Sequence, residues 1–155
     1  MILGTKARYA VMAMVDLAVC ASDKPVKLAE IAARQEIPLA YLEQIFAKLR
    51  QQGLVKSVKG PGGGYRLGHA AGQIALSEII IAADESMKMT RCESHSETGC
   101  MASKARCLTH DLWEGLGERI VSYFDAITLE DVCERRVKKP MVLKSEKWNP
   151  DALNH

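Results

Sequence analysis

VKLAEIAARQEIPLAYLEQIFAKLRQQGLVKSVKGPGGGYRLG, residues 26–68, is the stretch whose reading decides the fold. Leu28, Ile31 and Ala32 give one face of a short helix, and Glu36-Ile37-Pro38 breaks it. Leu42, Ile45, Phe46 and Leu49 give the apolar face of a second helix, which Gly53 ends. Two short helices joined by a tight turn form a helix-turn-helix. The second helix of that motif presents its N-terminal residues to base edges in the major groove. Here those residues are Leu39, Ala40, Tyr41, Glu43 and Gln44, with Lys48 and Arg50 further along. An ordinary helical hairpin carries the same apolar pattern, so the helices alone leave DNA binding open.

The continuation narrows the choice. LVKSVKGPGGGYRLG reads as a strand, a glycine-rich turn and a second strand ending near Leu67. Pro61 and the three glycines after it make a hairpin tip that tolerates unusual backbone dihedrals. Lys56, Lys59 and Arg66 surround the tip, and Gly62 and Tyr65 lie within it and beside it. A hairpin after a helix-turn-helix is a winged helix, whose small tip can approach DNA while the flanking bases reach phosphate or the minor groove. A glycine-rich loop can also cradle a nucleotide phosphate, but no Gly-Lys-Ser/Thr follows and no helix starts directly after the glycines.

Upstream, Thr5 to Ala21 reads as a helix in which Tyr9, Met12, Ala13, Asp16 and Leu17 follow helical spacing, with Pro25 beyond its end. The apolar run after Lys6 and Arg8 faintly resembles a secretory leader. Asp16 interrupts it, and no apolar run reaches membrane-spanning length, so a cytoplasmic protein is expected. The chain has 155 residues, 48% hydrophobic, with a net charge of only +2. That is enough for one compact domain with an extension and its own core. Whole-chain charge does not announce nucleic-acid binding, so the case rests on local charge. No paired carboxylates in an apolar setting and no Ser/His/Asp set point to an enzyme.

Downstream, ALSEIIIAADES reads as a short helix capped by Ser77. From about Cys107 to Ala126 the residues Leu108, Leu112, Leu116, Ile120, Val121 and Phe124 recur at three and four, widened by Trp113 and Tyr123. So apolar a helix, late in a small chain, reads as a dimer interface. ITLEDVCERRV is a further helix with Thr128 as N-cap, and Cys133 and Cys20 read as structural. The architecture expected is mainly α with a small β-hairpin wing: a winged helix-turn-helix domain (1–85), a ligand loop (86–106), a dimerisation helix with the helix that follows it (107–137), and a mobile tail (138–155).

The five cysteines are 20, 92, 100, 107 and 133. An odd count with clustered spacing argues against a disulfide framework. Cys92, Cys100, Cys107 and His110 form a C-x7-C-x6-C-x2-H run. Thiolate and imidazole donors suit zinc or iron–sulfur chemistry. Zinc sites usually carry a close Cys-x2-Cys knuckle, absent here, whereas long loops suit a cluster, on which histidine can replace cysteine. Redox thiols without a metal are the third reading. Cys107 and His110, three apart at a helix start, are expected to point the same way. His95, three residues after Cys92, is a rival ligand.

The wing KGPGGGYRL, the start TKARYAVMAMVDLA, the segment YLEQIFAKLRQQGLV and the run RC…GC…RCLTH resemble the winged-helix repressor family of iron–sulfur cluster regulators that includes IscR, NsrR and RirA. The resemblance covers roughly residues 1 to 132. It implies a homodimeric regulator that binds double-stranded operator DNA and represses cluster-biogenesis genes. It also implies one [2Fe–2S] cluster per subunit on Cys92, Cys100, Cys107 and His110, supplied by cluster-assembly proteins. Relatives of this family respond instead to nitric oxide or iron. The first inter-cysteine loop is longer here than is usual in the family. The wing carries Lys59 where arginine is commoner, a point charge without the planar fork. Lys6, Tyr41 and Lys59 are expected to contact the DNA backbone. Glu43, repelled by phosphate but able to accept from cytosine N4, is expected to restrict the sites read by the cluster-free form.

Overall fold

Small side chains put the first helix, α1 (Thr5–Val19), at the centre. It buries Ala7, Ala10, Ala13, Met14 and Leu17 in the computed structural model of the chain, which describes residues 4–84, 86–90 and 99–138. Alanines on its inner face let several elements close on it at once, and it packs against α2, α3, α4, α6 and the second strand of the wing. Asp16 is buried with them and is satisfied by α2. Arg34 donates from Nε and Nη2 to both carboxylate oxygens at 2.6–3.2 Å, and Gln35 donates to Oδ2 at 2.7 Å. Burial alone would raise the Asp16 carboxyl, but these bonds and the Arg34 charge outweigh it and hold the group below its usual range.

The helix-turn-helix is α2 (Leu28–Gln35) and α3 (Leu39–Gln51). Glu36 ends α2 in the left-handed region at φ 55°. Ile37 is buried, and its N–H donates back to Ala32 O at 3.0 Å, which fixes the turn. Pro38 then precedes the first turn of α3. On α3, Leu42, Ile45, Phe46 and Leu49 are buried, the face the apolar spacing predicts. Gly53, at φ 75°, releases the chain into the wing.

Strands β1 (Val55–Val58) and β2 (Gly64–Leu67) pair antiparallel, with Val55 opposite Leu67 and Val58 opposite Gly64. Val26 adds a third, single-residue rung, exchanging backbone hydrogen bonds with Tyr65 at 3.0 and 2.7 Å. The wing is therefore anchored on the chain just before α2.

After a 3₁₀ turn at Ala71–Gln73, α4 (Leu76–Ala82) starts at Ala75, whose N–H donates to the Glu78 carboxylate at 2.8 Å. Ser77 is not the cap that the sequence suggests: it lies inside the helix, buried, and its hydroxyl donates to Asp125 at 2.7 Å. The long helix α5 runs His110–Asp125, three residues shorter at its start than the apolar spacing predicts. Its end is tied down. Leu76 N–H donates to Ile127 O at 2.9 Å, and Leu129 N–H donates to Ile74 O at 2.8 Å. Thr128 caps α6 (Leu129–Cys133) as expected, accepting from Asp131 N–H at 3.1 Å while the Asp131 carboxylate accepts from Thr128 N–H at 3.0 Å. Leu129 is fully buried in the same core as Phe46 and Met14, so α6 packs with the winged helix although it follows α5 in sequence. Half-buried Cys133 packs against that core, and burial pushes its thiol up. Among the described residues no helix is long and apolar enough to cross a membrane. The tail, beyond Lys138, lies outside the described residues.

Candidate nucleic-acid interface and metal-ligand pocket

The first turns of α3 present Leu39, Ala40, Glu43 and Gln44 to solvent. These are four of the five residues that the helix-turn-helix reading assigned to base edges, and they are exposed because the buried stripe of α3 lies on the opposite face. Tyr41 is half-buried, its ring edge-on to Tyr9 of α1 at 5.6 Å. Lys6, Tyr41, Gln44 and Lys48 come together with Ile45 and Ala83 around one small notch, so α1 contributes a cation beside the exposed face of α3. Lys48 pairs with Asp84, just past the end of α4. That bond, with the charges of Lys48 and Lys6, holds the Asp84 carboxyl below its usual range. A phosphate reaching Lys48 would have to compete with Asp84.

In the wing, Lys59 and Gly62 are exposed at the tip. Tyr65 is placed otherwise: its ring lies edge-on to Phe46 at 5.0 Å, and its backbone pairs with Val26, so it anchors the base of the wing on the core. Arg66 does similar work, donating from its guanidinium to the Asp23 carbonyl.

The second site lies at the N-terminal end of α5. Cys100, Cys107 and His110 line one pocket of about 370 Å³ with Met89, Thr90, Thr109 and Trp113. Cys107 does not sit on the helix, as its spacing from His110 suggests. It lies in the turn before α5, where His110 N–H donates to Cys107 O at 3.0 Å, and the turn brings both side chains to the pocket. Cys107 N–H donates to the Cys100 sulfur at 3.4 Å. The loop is closed by Gly99 N–H to Lys104 O at 2.8 Å and Met101 N–H to Ala105 O at 3.2 Å. Gly99 is required there, since a Cβ would fall well inside 3 Å of the Ala105 carbonyl. Cys92 and the rival ligand His95 lie outside the described residues.

His110 is only 4% exposed, and among the described residues neither of its ring nitrogens has a hydrogen-bond partner. A buried polar group without a partner is costly, on the order of 1–3 kcal/mol. Such a group in a pocket lined by two cysteines is a donor in wait of an acceptor or a metal. A soft donor set of sulfur and imidazole matches what an iron–sulfur cluster or zinc takes.

Comparison with known proteins identifies the family of the chain. Residues 3–135 match the Rrf2 family model, described as an iron-dependent transcriptional regulator. The chain belongs to the Rrf2 family. Its relatives in this family include the HTH-type transcriptional regulator IscR of Xenorhabdus nematophila, 51% identical over 134 residues that cover 86% of this chain and 80% of that protein. IscR of Aliivibrio salmonicida is 49% identical over 150 residues, 97% of this chain and 86% of the relative. Among solved structures, T. potens IscR superposes with a TM-score of 0.70 at 34% identity, covering 88% of each chain. The B. subtilis global cysteine regulator CymR gives a TM-score of 0.70 at 29% identity, covering 87% of this chain and 98% of that one. This Rrf2 chain is thus a DNA-binding transcriptional regulator of the winged-helix class, and not an enzyme.

Reading the sequence missed four residues around the Rrf2 pocket. Thr109 accepts from Trp113 Nε1 at 3.2 Å and lies 3.5 Å from the Cys107 sulfur. Met89 and Thr90 form a wall from the segment after α4. Glu114, one turn along α5, sets its carboxylate 3.7 Å from His110 Nε2. Only the last had a signal in the sequence, the i,i+4 spacing of His110 and Glu114.

Proposed function

We propose that this regulator is a cytoplasmic homodimeric repressor of iron–sulfur cluster biogenesis genes, whose promoter binding is switched by one [2Fe–2S] cluster per subunit. The observation that carries the reading is His110: buried, without a hydrogen bond to either nitrogen among the described residues, and in one pocket with Cys100 and Cys107. These residues fit the group, because their donors are soft and one of them is otherwise unsatisfied. Cys92, Cys100, Cys107 and His110 would hold it. Relatives named IscR at about half identity support the same reading. When bound, the cluster supplies a redox-active, dissociable iron–sulfur centre whose potential is raised by histidine ligation.

The chain's own residues do the rest. Leu39, Ala40, Glu43 and Gln44 meet base edges in the major groove, while Lys6, Tyr41 and Lys48 meet phosphate. Lys59 and Gly62 bring the wing tip to the backbone or minor groove. On α5 only His110 and Gly117 are buried within the subunit, and Leu112, Trp113, Val121 and Tyr123 are exposed. A second copy packed along that face makes the dimer and sets the spacing of the two recognition helices.

The test is anaerobic purification with iron, sulfide and zinc analysis, followed by binding to candidate operators with and without the cluster. A coloured protein with equal iron and sulfide, and different operator occupancy in the two forms, is expected. A colourless preparation holding zinc would overturn the reading, as would one with neither metal nor colour.

A further inference from the structure

His110 has two ring nitrogens, and a cluster can use one of them. A histidine that ligates a metal almost always gives its other ring N–H to a carboxylate, carbonyl or water, which fixes the tautomer and makes the ligating nitrogen a stronger donor. Among the described residues neither nitrogen of His110 has a hydrogen-bond partner. The Glu114 carboxylate stands 3.7 Å from Nε2, at ion-pair distance and less than an ångström from a hydrogen bond. The i,i+4 spacing on α5 holds it there, on the same face and one turn on. Glu114 is half-exposed and its side chain can close the remaining gap. Asp111 also lies near the ring, but it is exposed and is not within ion-pair distance of His110.

We propose that Glu114 is the positioning residue for the histidine ligand: its carboxylate accepts the Nε2 proton of His110 and leaves the Nδ1 lone pair for iron. This rests on the reading of His110 as a cluster ligand. The carboxylate strengthens imidazole as a donor, stabilises the oxidised centre, and orients the ring before the cluster arrives.

The test compares wild-type protein with E114A, E114Q and D111N, each loaded anaerobically, at one fixed pH. Cluster retention against a chelator should fall about 10- to 100-fold in E114A. The midpoint potential should shift positive in E114A, and less in E114Q, whose amide oxygen still accepts the proton but carries no charge. D111N, which removes the same charge one residue from His110, should match wild type in both readouts. Far-UV circular dichroism and thermal unfolding of the cluster-free proteins should be the same for all four, because Glu114 lies outside the core. Imidazole hyperfine coupling in ¹⁵N-labelled wild-type protein separates the two ideas. Its absence would sink the ligand reading and this proposal together. Its presence with unchanged potential and retention in E114A would sink the proposal alone, and equal shifts in D111N and E114A would reduce the effect to bulk charge.

Discussion

Replacing Gly99 with alanine should disable the ligand pocket without touching the DNA-binding core. The added Cβ would sit well inside 3 Å of the Ala105 carbonyl and the Arg106 nitrogen, and these are backbone atoms that cannot swing aside as a side chain would. The loop must open, and opening it breaks the bonds from Gly99 N–H to Lys104 O and from Met101 N–H to Ala105 O. Overpacking costs about 1–3 kcal/mol. Each exposed loop hydrogen bond contributes about 0.5–1.5 kcal/mol net. The closed loop is therefore disfavoured by roughly 2–6 kcal/mol, and apparent affinity falls with the fraction of chains that remain closed. Because ligation recovers part of that cost, cluster retention should fall on the order of 10- to 100-fold. The assay is loss of visible absorbance from anaerobically loaded protein after addition of a chelator. Gly115 supplies the control: a Cβ there meets nothing within 4 Å, and Gly115→Ala lies inside α5, where alanine adds about 1 kcal/mol of helix propensity. The thermal midpoint of the cluster-free Gly99→Ala protein should match wild type. If that variant holds its cluster as long as Gly115→Ala does, the close approach at Gly99 is not what shapes the pocket.

Glu43→Ala should broaden the sites bound by the cluster-free form, raising affinity for disfavoured operators about 5- to 100-fold in a site-selection assay, the scale of one base contact. Lys59→Ala should weaken binding to all sequences alike and make the slope of log affinity against log salt shallower by about one unit, as read by fluorescence anisotropy. Leu112→Glu puts a charge on a side chain that is 64% exposed in the subunit; light scattering should report a monomer of unchanged secondary structure, with operator binding lost. Asp16→Asn should flatten the acid limb of stability in urea titrations across pH. The folded carboxyl lies below its ordinary value of 3.8, so its contribution is complete above that value and is lost as pH falls through the lower folded one. At neutral pH the variant should be less stable by on the order of 2 kcal/mol.

Where one periodic signal controlled one element, the sequence was sufficient. Leu42, Ile45, Phe46 and Leu49 name the buried face of α3, and by complement they name its exposed residues, which are proposed to meet DNA. The Thr128-x-x-Asp131 box names the start of α6. Reasoning from spacing failed where tertiary contacts decide. Ser77 is a good N-cap residue, yet α4 starts two residues earlier, because Glu78 closes the Ala75 N–H and Ser77 is wanted by Asp125. Cys107 looks helical from the stripe that Leu108 and Leu112 begin, but Leu108 is fully exposed and the helix starts only at His110. For the pocket, sequence could nominate ligands by chemistry. It could not supply Met89 and Thr90, which reach Cys100 and Cys107 only through the packing of α4 on α5.

The placement of these walls also determines how a change at the pocket can reach the DNA-reading helix. α5 cannot pivot freely at its C-terminal end, because Ser77 holds Asp125 and the chain after it is bonded to Leu76 and buried at Leu129. Any displacement on ligand binding is therefore greatest at the His110 end, against Met89 and Thr90. Met89 packs on Gly117 of α5, and two residues earlier Met87 is buried against Ala7 and Ile80. Three residues before that, Asp84 pairs with Lys48 on α3. A short segment thus has one end in the ligand pocket and the other on an ion pair of the recognition helix, with Met87 as the fixed point between them. Coupling through it must be reciprocal. If a bound cluster tightens operator binding by some factor, operator has to tighten cluster retention by the same factor. Asp84→Asn keeps the left-handed backbone that Asp84 adopts at φ 60°, because asparagine tolerates that region as well. If the segment carries the coupling, this variant should bind operator more tightly in both cluster states and bring both factors toward one. Unchanged factors would move the coupling out of this segment and into the dimer contact along α5.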